Sequence, residues 1–277
     1  MFNKHPKGLI AAALANLGER FGFYTMMAIL VLFLQAKFGM NGKEAGFIYS
    51  TFYFSIYILA LVGGIIADKT RNYKGTIFTG IVLMAVGYLL LAIPSKTPVD
   101  NKMLYLVITC ASLFVIAFGN GLFKGNLQAL VGQMYDNPQY ANMRDSGFSL
   151  FYMFINIGAI FAPFAAVGVR NWWLSTFGYN YDADLPALCH GQLAGTLSPE
   201  ATETYHTLVT KASTAPVQDY TAFASDYLNV FTTGFHYAFG VAIIAMAISL
   251  TIYWLNKKNF PDPSKKTVAS SASSTVV

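Results

Sequence analysis

The sequence predicts an all-α membrane protein with six spanning helices and one long polar excursion. Charged residues make up 11% of the 277 residues and hydrophobic residues 55%, whereas a soluble domain carries about 25% charged residues. The mean hydropathy is +0.47. Phe and Tyr are abundant, at 23 and 17, as expected where aromatic rings sit at headgroup level. Finally, six runs reach the roughly 20 apolar residues that cross a bilayer at about 1.5 Å per residue.

The first run, 9–37, follows a basic start, "MFNKHPKGLIAAALANLGER". Basic-then-apolar order mimics a signal peptide, but the apolar stretch is too long for one, so it reads as a retained span. The second and third runs, 45–67 and 75–94, are separated by "DKTRNYK". The fourth, 103–133, carries glycines and asparagines. The fifth, 146–169, completes a unit of five spans over 1–169. Residues 170–230 are polar, and Ser198, Pro199 and Glu200 make a helix start there. This region is expected outside the membrane, and its role stays open between a contact surface and a decoration. The sixth span is 231–256. The Ser-rich tail, 257–277, reads as disordered.

Net charge is +5, but no basic cluster supports nucleic-acid binding. An even number of spans puts both termini on one side. Lys4, Lys7, Lys69, Arg71, Lys74, Arg144, Lys257, Lys258, Lys265 and Lys266 share that side. Lys37, Lys43, Lys96, Lys102, Arg170 and Lys211 fall opposite, spread over more residues. Positive-inside bias therefore places both termini in the cytoplasm of a cytoplasmic-membrane protein. Cys110 and Cys189 lie in unlike contexts, so no disulfide framework is expected. His5, His190, His206 and His236 are dispersed, which argues against a metal centre. Neither G-x-S-x-G nor H-E-x-x-H occurs, and no enzyme is expected.

Glu19 and Arg20 are the anomaly. They stand about ten residues into the first span, near the midplane of a ~30 Å core, where each charge costs about 2.5–3.5 kcal/mol or more. They must face protein or a wet cavity. Asn16, Arg20, Tyr24 and Met27 recur at helical spacing, and Glu19 and Phe23 form an adjacent stripe. A structural ion pair and a ligand pathway both explain the charges. Lys124, in "FGNGLFKGNLQALVG", is either a snorkelling lysine or part of a site. The glycines around it suit close packing. Asn156, in "FYMFINIGAIFAP", is interhelical glue or a ligand. Tyr57 is packing or a site residue. Together, on four helices, they point to a polar cavity whose cationic groups receive a carboxylate.

These residues resemble a known pattern. "GERFGFYTM" is similar to the E-x-x-E-R-F-x-Y-Y element of the proton-dependent oligopeptide transporters, a branch of the major facilitator superfamily. "GGIIADKTRNYKGTI" resembles that family's loop between spans two and three, "GNGLFKGN" its F-K-P-N element, and "RDSGFSLFYMFINIGAIFAP" its F-Y-x-x-I-N-x-G signature. The resemblance implies half of a major-facilitator bundle, built as two inverted three-helix repeats, with the long outer loop between spans five and six. It implies that Arg20, Tyr24, Tyr57, Lys124 and Asn156 bind the substrate, Glu19 couples protons, and Asp68 belongs to a conformational gate. The cargo would be di- and tripeptides, with the proton as coupling ion and no other cofactor. Asn16, Phe23 and Gly125 depart from the pattern, and Asn16 cannot titrate. Family members have about twelve spans. The chain is therefore expected to be the N-terminal half of a transporter, from a split or truncated gene. Its polar face would be covered by a second six-span half or a second copy, with lipid around the rest. The alternative is a non-transporting remnant, assembly factor or sensor that keeps the half bundle.

Overall fold

The computed structural model describes residues 4–261, and they are almost entirely helical. Six helices are long and apolar enough to cross a membrane. They are α1 (Lys7–Phe38), α2 (Gly42–Thr70), α3 (Tyr73–Ala92), α4 (Lys102–Met134), α5 (Arg144–Thr176) and α8 (Tyr220–Leu255). Two shorter helices, α6 (Leu185–Ala194) and α7 (Pro199–Ala212), stand between the last two. The chain is a multi-pass membrane protein.

Packing reveals an internal symmetry. Helix α1 packs against α5 and α8, whereas α4 packs against α2 and α3. Exchanging α1 with α4, α2 with α5 and α3 with α8 maps each contact onto another, and α3 against α8 maps onto itself. That relation, between triplets that cross in opposite directions, is the mark of two inverted three-helix repeats. Helices α3 and α8 close the back. Helices α2 and α5 stand on opposite flanks of the central α1–α4 pair, so the front is an open trough. The start of α1 and the end of α8 lie together, because a Cβ on Gly8 would meet the Asn259 carbonyl at 2.8 Å. Both ends of the described chain are therefore on one side of the bundle.

Small residues bring the helix backbones together. Lipid supplies no hydrophobic drive for association, so contact between backbones has to do it. Gly80 and Gly119 face each other across α3 and α4, and a Cβ on either would lie 2.7 Å from the other's carbonyl oxygen. Ser249 of α8 donates to the Ala15 carbonyl of α1 at 2.6 Å.

The helices overrun the apolar runs. Helix α5 continues to Thr176 instead of 169, and α8 starts at Tyr220 instead of 231. Hydropathy finds the apolar stretch, but a helix begins at its cap. Asp219 accepts from Thr221 N and Ala222 N, both at 2.9 Å. Residues 170–230 thus hold the ends of two long helices and two complete short ones. Ser198 caps α7 through Ala201 N at 3.2 Å. Residues 257–260, expected in the disordered tail, are ordered. Lys257–Asn259 form a 3-10 turn, and Phe260 is buried and stacks on Tyr253 at 5.0 Å. The remaining tail lies outside the described residues.

The short helix α6 is tied to α1 by His190, whose Nε2 donates to the Ala36 carbonyl at 2.7 Å. Its ring lies against Gly39, which has φ +60°. Burial pushes the imidazole pKa down, opposed by the Ala36 hydrogen bond and aided by the Lys102 charge. A lowered histidine pKa means the unfolded chain binds the extra proton first as pH falls below about 6.5. Stability from this contact is therefore complete above that pH and lost as pH falls towards the folded value. Thermal unfolding between pH 5 and 7.5 is expected to show this acid-side loss. His190→Gln, which keeps a donor but does not titrate, should flatten it.

Candidate functional site

The Glu19–Arg20 pair lies inside the bundle. Glu19 is fully buried and Arg20 is 5% exposed. The guanidinium grips the carboxylate with two bonds, Nε to Oε2 at 2.5 Å and Nη2 to Oε1 at 2.6 Å. The two side chains form an ion pair closed off from solvent. Asn120 of α4 adds a third bond, Nδ2 to Oε1 at 2.6 Å. The Phe23 ring lies 4.7 Å from the guanidinium carbon. Two opposite charges, bidentate and supported by an amide, lower the cost of leaving water far below that of either ion alone.

The pair is nonetheless incompletely served. The Tyr88 hydroxyl and Asn120 Oδ1 are buried without a hydrogen-bond partner among the described residues. Tyr88 lies within electrostatic reach of both Glu19 and Arg20. Sequence reading assigned neither residue to the site. Asn120 could have been found, since it sits one helical turn from Lys124. Tyr88 could not, because a tyrosine in "VGYLLL" looks like any interfacial aromatic.

A second group lies on the open trough. Lys124 is half-buried, with Nζ 5.7 Å from the centroid of the Tyr57 ring. Tyr57 is 55% exposed, and its hydroxyl donates to that of Tyr53 at 3.1 Å. Tyr53 was not singled out from the sequence, although it is the i−4 neighbour of Tyr57. The rings of Phe23 and Phe52 stack at 6.4 Å and join α1 to α2 below this tyrosine ladder. Tyr24 is half-buried and within electrostatic reach of both Arg20 and Tyr53. It therefore links the buried pair to the ladder.

Asn156 is separate. It is exposed on α5, and Gly158 holds α5 against α1, where a Cβ would lie 2.8 Å from the Leu17 carbonyl. Asn156 sits 200° round the helix from Gly158 at about 100° per residue. It thus points away from α1 and makes no hydrogen bond to the other candidates. Asp68 is exposed at the end of α2 and accepts a hydrogen bond from the Tyr73 hydroxyl across the α2–α3 turn. Asn16 is buried beside the pair on α1. The structure thus joins Glu19, Arg20 and Asn120 in one cluster and Lys124 with Tyr57 in another. It leaves Asn156 and Asp68 apart.

A family model described as the POT family matches residues 74–277. The chain belongs to the POT family. Its curated relatives include a peptide transporter of Yersinia enterocolitica subsp. palearctica, 34% identical over 185 residues. That match covers 65% of this chain and 34% of the relative. A dipeptide and tripeptide permease A of an Enterobacter species is 34% identical over 179 residues, covering 64% and 32%. The crystal structure of a peptide transporter POT in complex with sulfate superposes with a TM-score of 0.61 at 25% identity. It covers 98% of this POT-family chain and 44% of the other. The chain thus spans about a third of the length of the curated relatives it matches, and its fold is that of a POT-family half bundle.

Proposed function

We propose that this POT-family chain forms the N-terminal half of a proton-coupled di- and tripeptide transporter. It would sit in the cytoplasmic membrane with both termini cytoplasmic, a second six-helix half facing its trough. Lys124 carries the reading. It is a cation on the open face, its ammonium over a tyrosine ring, without a carboxylate partner among the described residues. A free peptide always offers one carboxylate, whatever its side chains. A lone trough-facing ammonium and a tyrosine ladder recognise that constant end and leave side chains loosely held.

Glu19 and Arg20 supply the coupling in this proposal. While Glu19 is ionised it occupies the guanidinium with both oxygens. A proton on Glu19 removes the negative partner and frees Arg20 to turn towards a peptide carboxylate near Lys124, by way of Tyr24. The change of partner favours a different state of the bundle. Asn156 would meet the peptide from the α5 flank, and the Asp68–Tyr73 contact would belong to the gate at the α2–α3 turn. The proton would be the only coupling ion, with no prosthetic group. Asn16 contributes no titration.

The test is uptake by vesicles holding the chain together with a complementary half, under an imposed proton gradient. Lys124→Ala is expected to lower uptake of a labelled dipeptide about 10- to 100-fold, the range for a lost charge-assisted hydrogen bond. It should leave thermal stability within about 0.5 kcal/mol, as for other partly exposed positions. A dipeptide whose C-terminus is amidated should bind weakly and be indifferent to the substitution. Equal loss for the free and amidated peptides would remove Lys124 from carboxylate recognition.

A further inference from the structure

A crevice of about 290 Å³ separates α2 from α4 beyond the point where Gly63 and Gly121 bring them together. Phe47, Ile48, Thr51, Cys110, Leu113 and Phe114 line it. It does not belong to the trough. Thr51 and Tyr53 lie about 200° apart on α2, so the crevice opens on the flank opposite the tyrosine ladder. Phe47 and Phe114 are 73% and 59% exposed there, as suits rings that meet hydrocarbon.

The mouth of the crevice is not apolar. Phe47 and Ile48 also line an adjoining opening bounded by Lys43 and Lys102, at the starts of α2 and α4. Glu44 also lines that opening, but its Oε2 is held at its own helix start, accepting from Asn41 N at 3.0 Å, and the two lysines outnumber it. Neither lysine is in an ion pair among the described residues. From Lys43 to Ser55, the residue of α2 on the crevice farthest along the helix from Lys43, is about 18 Å along the helix, close to one leaflet's share of a ~30 Å hydrocarbon core. A surface pair of ammonium groups above an apolar slot one leaflet deep has the shape and charge order of a phospholipid.

We propose that this crevice is a binding site for one anionic phospholipid, its phosphate between Lys43 and Lys102 and one acyl chain along α2 and α4. The lysines select the negative headgroup, because each basic residue near a membrane surface contributes attraction to anionic lipid. The crevice supplies the immobilising contact, since a chain bedded between Thr51 and Phe114 fills a gap that backbone crossing leaves open. The site stands independently of what the trough carries.

Native mass spectrometry of the chain in detergent tests it, with phosphatidylglycerol, phosphatidylethanolamine and phosphatidylcholine of identical acyl chains. One phosphatidylglycerol is expected to be retained in preference to the other two. Lys43→Gln with Lys102→Gln should weaken phosphatidylglycerol about thirtyfold and leave phosphatidylcholine unchanged. Thr51→Trp, which fills the slot, should weaken all three. Cys110→Met repeats that arm with a smaller change should the tryptophan disturb folding by circular dichroism. Equal retention of phosphatidylglycerol and phosphatidylcholine by the unsubstituted chain would overturn the proposal. So would phosphatidylglycerol binding that survives the lysine substitutions, or that is unaffected by filling the slot.

Discussion

Arg20→Ala is expected to destabilise the bundle by about 3–5 kcal/mol, the largest loss of any single side-chain truncation at the site. The reason lies in what it leaves behind. Glu19 is fully buried, and without Arg20 its carboxylate keeps only the Asn120 amide at 2.6 Å. An ionised carboxylate so placed must either take up a proton or admit water. The double substitution Glu19→Leu with Arg20→Met removes both charges and keeps volume, and it should cost far less than Arg20→Ala alone. Unfolding in micelles, followed by circular dichroism, measures both. Should the double variant be as unstable as Arg20→Ala, the penalty would come from lost packing, not from an orphaned charge. The same pair explains why Arg20 does not face the trough: in this state its Nε and Nη2 both donate to Glu19 and hold the guanidinium inward.

Gly121→Val is the second large effect, with an expected loss of about 4 kcal/mol or more and a sharp drop in folded yield. A Cβ at Gly121 would run into the Leu59 carbonyl group of α2. That obstacle is backbone, so no rotamer change relieves it, and α2 must move away from α4. Separation also breaks the bond from Asn126 Nδ2 to the Gly63 carbonyl at 3.1 Å. Gly125, four residues on, has nothing within 4 Å of such a Cβ. Gly125→Val should therefore change stability by no more than about 0.5 kcal/mol. Thermal melting of the two variants side by side separates a requirement for close approach from a general dislike of valine in this helix. Equal melting temperatures would remove the α2–α4 crossing as a determinant of the fold.

Much of the architecture was legible because the bilayer is a severe solvent. Every backbone polar group must be satisfied within the segment, so a long apolar run has little choice but to be a helix, and six runs became six spans. The limits of that logic show at α8. Its first turns, "YTAFASDYLN", are too polar to count as membrane, and only the Asp219 cap betrays where the helix begins. Glu19 and Arg20 were legible for a related reason, since two charges at midplane depth demand partners. Which partners they take was not legible. The adjacent residues satisfy each other with the help of Asn120, an arrangement that spacing on one helix cannot distinguish from a pair that reaches across the bundle.

By itself the amino-acid order determined that this protein lives in lipid, how many times it crosses, and that Glu19, Arg20 and Lys124 need an explanation. Tertiary structure alone decided that Arg20 turns inward while Lys124 faces the trough beside Tyr57, and that Asn156 stands apart. Helical periodicity assigns a residue to a direction around its own axis. The direction that becomes interior depends on how neighbouring backbones close upon each other, here through glycine contacts between residues dozens of positions apart.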